Sequence, residues 1–197
     1  MLSLTVFPGY MMHGMEKNYC LRAPQPSADN TLRYGECPIN KDRVSATLYQ
    51  EVIKHFPIFC VDIILINPIT CEYLTILRKD KPAKGAFYPV GGRLLKGETY
   101  FDAAMRICSQ EVHITAMPLK ILGTFNHIYP DSAWNCPSQT PDVLIVAICT
   151  NNESISLDRH HDTYKWRSLC EPHGTEFTEI GRRKALKYLV KHNIINT

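Results

Sequence analysis

Residues 92–114 read GRLLKGETYFDAAMRICSQEVHI, and they follow Val90-Gly91 directly. Gly91 and Gly92 allow a sharp turn and a close approach of backbone to a ligand. Pro89 just before them marks the end of a strand. Thr99 and Asp102 form a variant capping box, so a helix is predicted over about 100–112. Phe101, Ala104, Met105, Cys108 and Val112 recur at helical spacing and predict its buried face. Ile107, Gln110 and Glu111 stand three and four residues apart and share another face. One carboxylate on that face, with a carbonyl and water, can hold one Mg²⁺, which prefers oxygen ligands.

Strand patterns flank this helix on both sides. A short helix is expected over 44–55, then a strong strand over 58–66. Asn67-Pro68 makes a turn into a hairpin partner over 71–78. Residues 79–84 are a charged loop, and 86–90 a strand running into the glycines. Further strands are expected over 119–126 and 143–150, with a last one over 163–167. Residues 129–141, with Trp134 and three prolines, read as a long loop between the first two. A terminal helix is expected over 178–192. Strands before and after a central helix, closed by another helix, suit an α/β/α sandwich with a mixed β-sheet. Residues 1–44 carry scattered prolines and glycines. They are expected to form an irregular extension packed on a domain spanning 45–197, because Phe7, Tyr10, Tyr19 and Tyr34 are too aromatic for a free linker.

The chain has 197 residues, enough for one domain with a sizeable core. Its net charge of +3 and longest basic run, Arg182-Arg183-Lys184, argue against a nucleic-acid or membrane surface. No apolar stretch reaches the roughly 20 residues that span a bilayer. The eight cysteines show no CxxC spacing, so a zinc site is poorly supported and free thiols in a reducing cytoplasmic setting are expected.

The 92–114 segment resembles the Nudix box, which runs Gly, five residues, Glu, seven residues, then Arg-Glu-hydrophobic-x-Glu-Glu-x-Gly-hydrophobic. Gly92, Glu98, Arg106, Cys108, Glu111 and Ile114 fall in register; Ile107, Gln110 and His113 replace Glu, Glu and Gly. The resemblance is narrower still to the GDP-mannose mannosyl hydrolase branch. That branch lacks the same two box acids. It also has a basic loop and Pro-Ala-x-Gly before an aromatic strand, here Arg78-Lys79-Asp80-Lys81-Pro82-Ala83-Lys84-Gly85-Ala86-Phe87-Tyr88. Its downstream His-Asp-x-Tyr-basic-Trp is matched by His161-Asp162-Thr163-Tyr164-Lys165-Trp166. Val90 stands where the branch has proline, and the first 44 residues have no counterpart in the short bacterial enzyme.

This resemblance implies a Nudix fold and a hydrolase of a nucleotide sugar, attacked at the anomeric carbon to release GDP with inversion. Fewer acids suffice because the diphosphate is a good leaving group, a single Mg²⁺ stabilises its departure, and the remaining task is to activate one water. The resemblance implies Glu111 and the Gly91 carbonyl as metal ligands, with His160 in place of a glutamine ligand; an imidazole there would favour Mn²⁺ over Mg²⁺. It implies His161 as general base, with Asp162 and Tyr164 beside it as candidates to position the loop. Asp62 falls near the sugar and His127 near the leaving group. Arg93 and Arg106 match arginines of the site, with Arg106 alternatively bracing the box through Glu98. Lys79 aligns with a ligand-binding arginine, and Arg78 stands next to it. The bacterial relative suggests a homodimer. Two other readings compete: a Nudix pyrophosphatase attacking phosphorus, which would want acids at 107 and 110, and a catalytically inactive Nudix-fold binding module.

Overall fold

The computed structural model describes residues 27–42, 44–149 and 155–195. The aromatic residues Phe7, Tyr10 and Tyr19, on which the packing of the extension was argued, lie outside the described residues. Helix α1 (Ala46–His55) opens on Ser45, whose hydroxyl accepts from the Leu48 N–H. The strands are β1 (Cys60–Asn67), β2 (Glu72–Arg78), β3 (Phe87–Tyr88), β4 (Val90–Arg93), β5 (Ala116–Tyr129), β6 (Ser138–Cys149) and β7 (His161–Ser168). Helix α2 (Tyr100–Glu111) lies between β4 and β5, and α3 (Glu176–Lys191) closes the described fold.

All seven strands join one mixed sheet in the order β3-β2-β1-β6-β5, with β4 also on β1 and β7 also on β2. Among the described residues only the β1–β6 pair is parallel, from Cys60 opposite Asp142 to Ile66 opposite Ile148. Alternation along β1 distributes the core. Val61, Ile63 and Leu65 pack with Ala103, Ala104, Ile107 and Cys108 of α2. Ile64 and Ile66 pack with Phe177, Ala185 and Leu189 of α3 on the other face. The expected α/β/α sandwich is therefore present, and β1 is buried on both sides. Among the described residues, no helix is long and apolar enough to cross a membrane.

Three expectations need correcting. The stripe of α2 that enters the core is Ala103, Ala104, Ile107 and Cys108, while Met105 is 43% exposed. Helical rotation places 103, 104, 107 and 108 on one side, so Ile107 fills the core where the family pattern carries an acid. The loop over 129–141 is shorter than expected: β5 runs to Tyr129 and β6 begins at Ser138, so the connection is 130–137, and Asn126 to Tyr129 pair with Ser138 to Pro141. Polar residues and Pro141 mask this outer hairpin because it lies beyond the buried part of the sheet, where apolar alternation is not required. The last strand also begins earlier, at His161, and pairs along β2 to Ser168 opposite Glu72.

The turn before α2 is held from outside the box. Thr99 accepts from the Asp102 N–H and Asp102 from the Thr99 N–H, completing the capping box. The buried Asp29 accepts from the Phe101 N–H at 3.0 Å, adding a carboxylate to the positive end of the helix. Arg33 donates to the Gly97 carbonyl at 3.0 Å, and the Asn40 N–H to the Lys96 carbonyl at 3.0 Å. Gly97 has φ +88°, and a side chain there would meet the Cys37 and Pro38 carbonyl oxygens at 2.6 and 2.7 Å. Gly97→Ala is therefore expected to cost about 1–3 kcal/mol in urea unfolding. Amide exchange should rise first in 33–40 and at Phe101; an unchanged midpoint and exchange pattern would show that this segment does not clasp the turn.

Candidate functional site

Strand β4 carries the site because its two glycines remove side chains where carboxylates must approach. A side chain on Gly91 would lie 1.7 Å from Asp62 Oδ1, so the Asp62 carboxylate occupies the space a Cβ would need. A side chain on Gly92 would lie 3.3 Å from Ile107 Cγ1 and 3.4 Å from Glu111 Oε1. The two residues face opposite sides of the strand. Gly91 thus adjoins the wall on the α3 side of the sheet, and Gly92 the wall on the α2 side.

On the α2 side, Glu111 Oε2 accepts from the Gly91 N–H at 3.4 Å. Burial of its carboxyl end, reinforced by the Asp158 carboxylate, pushes Glu111 up to about 8, against the opposing pull of Gly91, Arg78 and Arg106. A desolvated carboxylate with so few donors has a vacant need for positive charge, and the bare glycines leave room beside it; the donor set suits an oxygen-preferring divalent cation. Gln110 is exposed and accepts from Arg106 at 3.1 Å. Arg106 forms a fork on Glu98, with Nε to Oε1 at 2.5 Å and Nη2 to Oε2 at 2.8 Å, and also donates to the Arg93 carbonyl at 2.8 Å. Glu98 accepts in turn from the Leu95 N–H at 2.9 Å. Arg106 therefore takes the bracing position: it ties α2 to the strand end and the turn.

His161, at the start of β7, is 7% exposed, and its Nδ1 lies 2.7 Å from Asp158 Oδ1. Burial lowers its pKa below the ordinary 6.5, with Arg78 and His160 acting in the same direction and Asp158 opposing. With Nδ1–H donating to Asp158, the lone pair falls on Nε2. Asp158 is bound to the end of α2 through its N–H, which donates to the Glu111 carbonyl at 3.1 Å. The same carboxylate accepts from the His160 N–H at 2.9 Å. The orienting acid is thus Asp158, three residues before the histidine. Asp162 is engaged by Lys79 at 2.8 Å, and Tyr164 is 39% exposed. His160 turns outward: its ring lies 2.8 Å from Asp80 and accepts from Arg159 at 3.2 Å.

Arg78 is the cation shared by both walls. It acts electrostatically on Glu111, Asp62 and His161, and its buried Nε has no hydrogen-bond partner. Arg93 instead lies over the Tyr49 ring, 4.4 Å from its centroid, and Tyr49 makes an edge contact with Trp134. On the α3 side, Asp62, His127 and Asp142 converge, with one ligand atom from each within 4.8 Å of the others. Burial, then the facing Asp142 carboxylate, pushes Asp62 well above the ordinary carboxylate range. Asp142, like Asp158, is a functional candidate that sequence reasoning missed. Its signal was an acid at the mouth of the apolar run 143–149, the same anomaly that singled out Asp62.

The family model of the NUDIX domain matches residues 59–189, more than half of the chain. The chain is 23% identical over 124 residues to the low-salt glycan biosynthesis protein Agl8 of Haloferax volcanii, covering 62% of this chain and 78% of that protein. A MutT protein from Methanosarcina mazei Go1 aligns with TM-score 0.52 and 21% identity over 67% of this chain and 96% of that one. A MutT Nudix hydrolase from Burkholderia pseudomallei aligns with TM-score 0.54 and 18% identity over 65% and 97%. A dihydroneopterin triphosphate pyrophosphohydrolase from E. coli aligns with TM-score 0.51 and 15% identity over 68% and 95%. The solved structures share the sheet sandwich, and the family match runs from the strand that carries Asp62 through the box helix to the terminal helix: the chain belongs to the Nudix hydrolase family.

Proposed function

We propose that the chain hydrolyses a nucleotide sugar of the GDP-mannose kind at the sugar carbon, releasing nucleoside diphosphate and free sugar. The observation that carries this reading is the pair of buried His161 and half-buried Asp158 beside Glu111. An imidazole oriented by a carboxylate, with a depressed pKa and a lone pair on Nε2, is a base for a water molecule. Ile107 in the core supports the same reading, because a phosphorus-attacking site would want an acid at that position. A relative named for glycan biosynthesis is consistent with a sugar-bearing substrate. Free thiols at all seven described cysteines suit a reducing cytoplasmic setting.

Glu111, with the Gly91 backbone, would hold a divalent cation, Mg²⁺ or Mn²⁺, whose chemistry is to neutralise the departing diphosphate. Arg78 would bind phosphate oxygens; the Lys79 ammonium, engaged by Asp162, supports this choice between the two. Asp158 keeps His161 in one tautomer, and His161 takes the proton from the attacking water at Nε2. His160, held by Asp80 and Arg159, is expected to brace the loop; His160→Ala should leave cation dependence nearly unchanged. Asp62 and His127 form the second wall of the cleft, toward the sugar and leaving group.

A nucleotide-sugar panel with Mg²⁺ or Mn²⁺, run in ¹⁸O-water, tests the reaction. Label is expected in the sugar; label in phosphate would establish pyrophosphatase chemistry, and no turnover across the panel would establish a binding module. His161→Ala should lower kcat by about 10²–10⁴-fold with little change in KM. Only neutral imidazole accepts a proton. The wild-type rate should therefore rise with pH and level off, with its acid limb below 6.5 because burial lowers the His161 pKa. That limb should be absent in His161→Ala. Glu111→Gln should abolish cation-dependent turnover while keeping the circular dichroism and unfolding midpoint of the wild type. Full activity in that variant would place the site elsewhere.

A further inference from the structure

The cluster on the α3 side contains more unmet valence than the proposed reaction uses. The Asp142 side chain has no exposed surface, and among the described residues its carboxylate oxygens have no partner other than a proton shared with Asp62. His127 Nε2 lies 3.5 Å from Asp142 Oδ1, beyond a hydrogen bond, and it too is buried without a partner. Asp62 Oδ1 completes the group in the space left by Gly91. All three project from one face. Cys60 of β1 pairs with Asp142 of β6, so Asp62 lies two residues along on the same side, and Phe125 of β5 pairs with Asp142, so His127 lies two residues along on its strand.

We infer that Asp62, His127 and Asp142 form a binding site for a transition-metal dication of the Zn²⁺, Mn²⁺ or Co²⁺ class. The site is separate from Glu111, and it goes beyond the reaction proposed above without depending on it. Were both ionised, the half-buried Asp62 and the fully buried Asp142 would carry a charge of about −2 in a site poor in donors, and such a pair is expensive unless neutralised. A shared proton would relieve the Asp62–Asp142 contact, yet it would leave His127 Nε2 and further carboxylate oxygens unsatisfied. A dication satisfies all three residues at once and balances the charge. Two carboxylates and one imidazole favour a metal that accepts nitrogen as well as oxygen. Three protein ligands also leave a position open for water or substrate.

The imidazole is already held in place. Its ring stacks on Tyr129, with centroids 5.9 Å apart and 11° between planes, and meets Phe177 edge-on at 4.5 Å. These rings leave little rotation, so Nε2 stays aimed at the carboxylates.

The test uses the full chain, freed of metal and titrated with Co²⁺ and Zn²⁺ alone. Co²⁺ should bind with visible absorption bands in the wild type. Asp142→Asn and His127→Gln should each weaken that binding about 100-fold or more, since loss of even an outer partner costs 10–100-fold. Glu111→Gln should keep the bands while losing turnover, which separates this site from the catalytic reading. Zn²⁺ should shift the His127 Nε2 resonance in the nitrogen NMR spectrum of the wild type but not of Asp142→Asn. Without metal, Asp142→Asn should melt at or above the wild-type temperature because it removes a buried charge. With Zn²⁺ the order should reverse. Identical Co²⁺ titrations for wild type and Asp142→Asn, or an unmoved His127 resonance, would overturn the inference in favour of a proton-sharing acid pair.

Discussion

Two missing side chains govern the centre of this protein. At Gly91 the Asp62 carboxylate stands where a Cβ would be, and at Gly92 the end of α2 approaches within van der Waals contact. A strand with ordinary residues at these positions would push both walls outward. Because the glycines follow each other, they serve opposite faces of one strand. Acidic groups on both sides of the sheet can therefore approach the same short length of backbone. The Gly91 N–H then donates to Glu111, so the strand meets its neighbour with a dipole as well as with space.

The exchange of a box acid for Ile107 has consequences beyond lost charge. The isoleucine is 1% exposed and joins the cluster that fixes α2 to β1 and β6. The helix gains apolar anchoring where a charged face would need ions to hold it. Orientation of the helix end then falls to Arg106, which grips Glu98 and the Arg93 carbonyl. Glu111 is left as the one acid of the box motif's final turn, and its electrostatic partner across the cleft is Arg78. That arrangement concentrates the polar demands of the α2 wall on one carboxylate, one guanidinium and the Asp158–His161 pair.

The fold was readable because its signals are local. The glycine pair, the Thr99–Asp102 cap and the strand expected over 58–66, observed as Cys60–Asn67, each depend on neighbours in sequence, and all three reappear in space. The Arg106–Glu98 brace was also legible, since eight residues across a turn and a helix return the two side chains to each other. What escaped was set by cross-strand geometry. Asp142 gains its meaning only from a parallel register that brings it beside Asp62. Asp158 rather than Asp162 orients His161 because β7 begins at the histidine, which sends alternate side chains to opposite faces and gives Asp162 to Lys79. Met105 was misplaced for a simpler reason: Met and Ile look alike to periodicity, and only the helix's rotation against the sheet chooses between them.

The clasp of residues 27–42 on the box turn separates two ideas of a domain. The unit that relatives share begins at residue 59, yet the peptide donor of Phe101, at the start of the box helix, is satisfied by Asp29. The segment that the family model matches is thus shorter than the segment that folds. In this chain the segment ahead of that unit is part of the scaffold of the box turn. With Asp29 supplying the acceptor for Phe101, a substitution in residues 27–42 reaches the box turn directly, without touching the box itself.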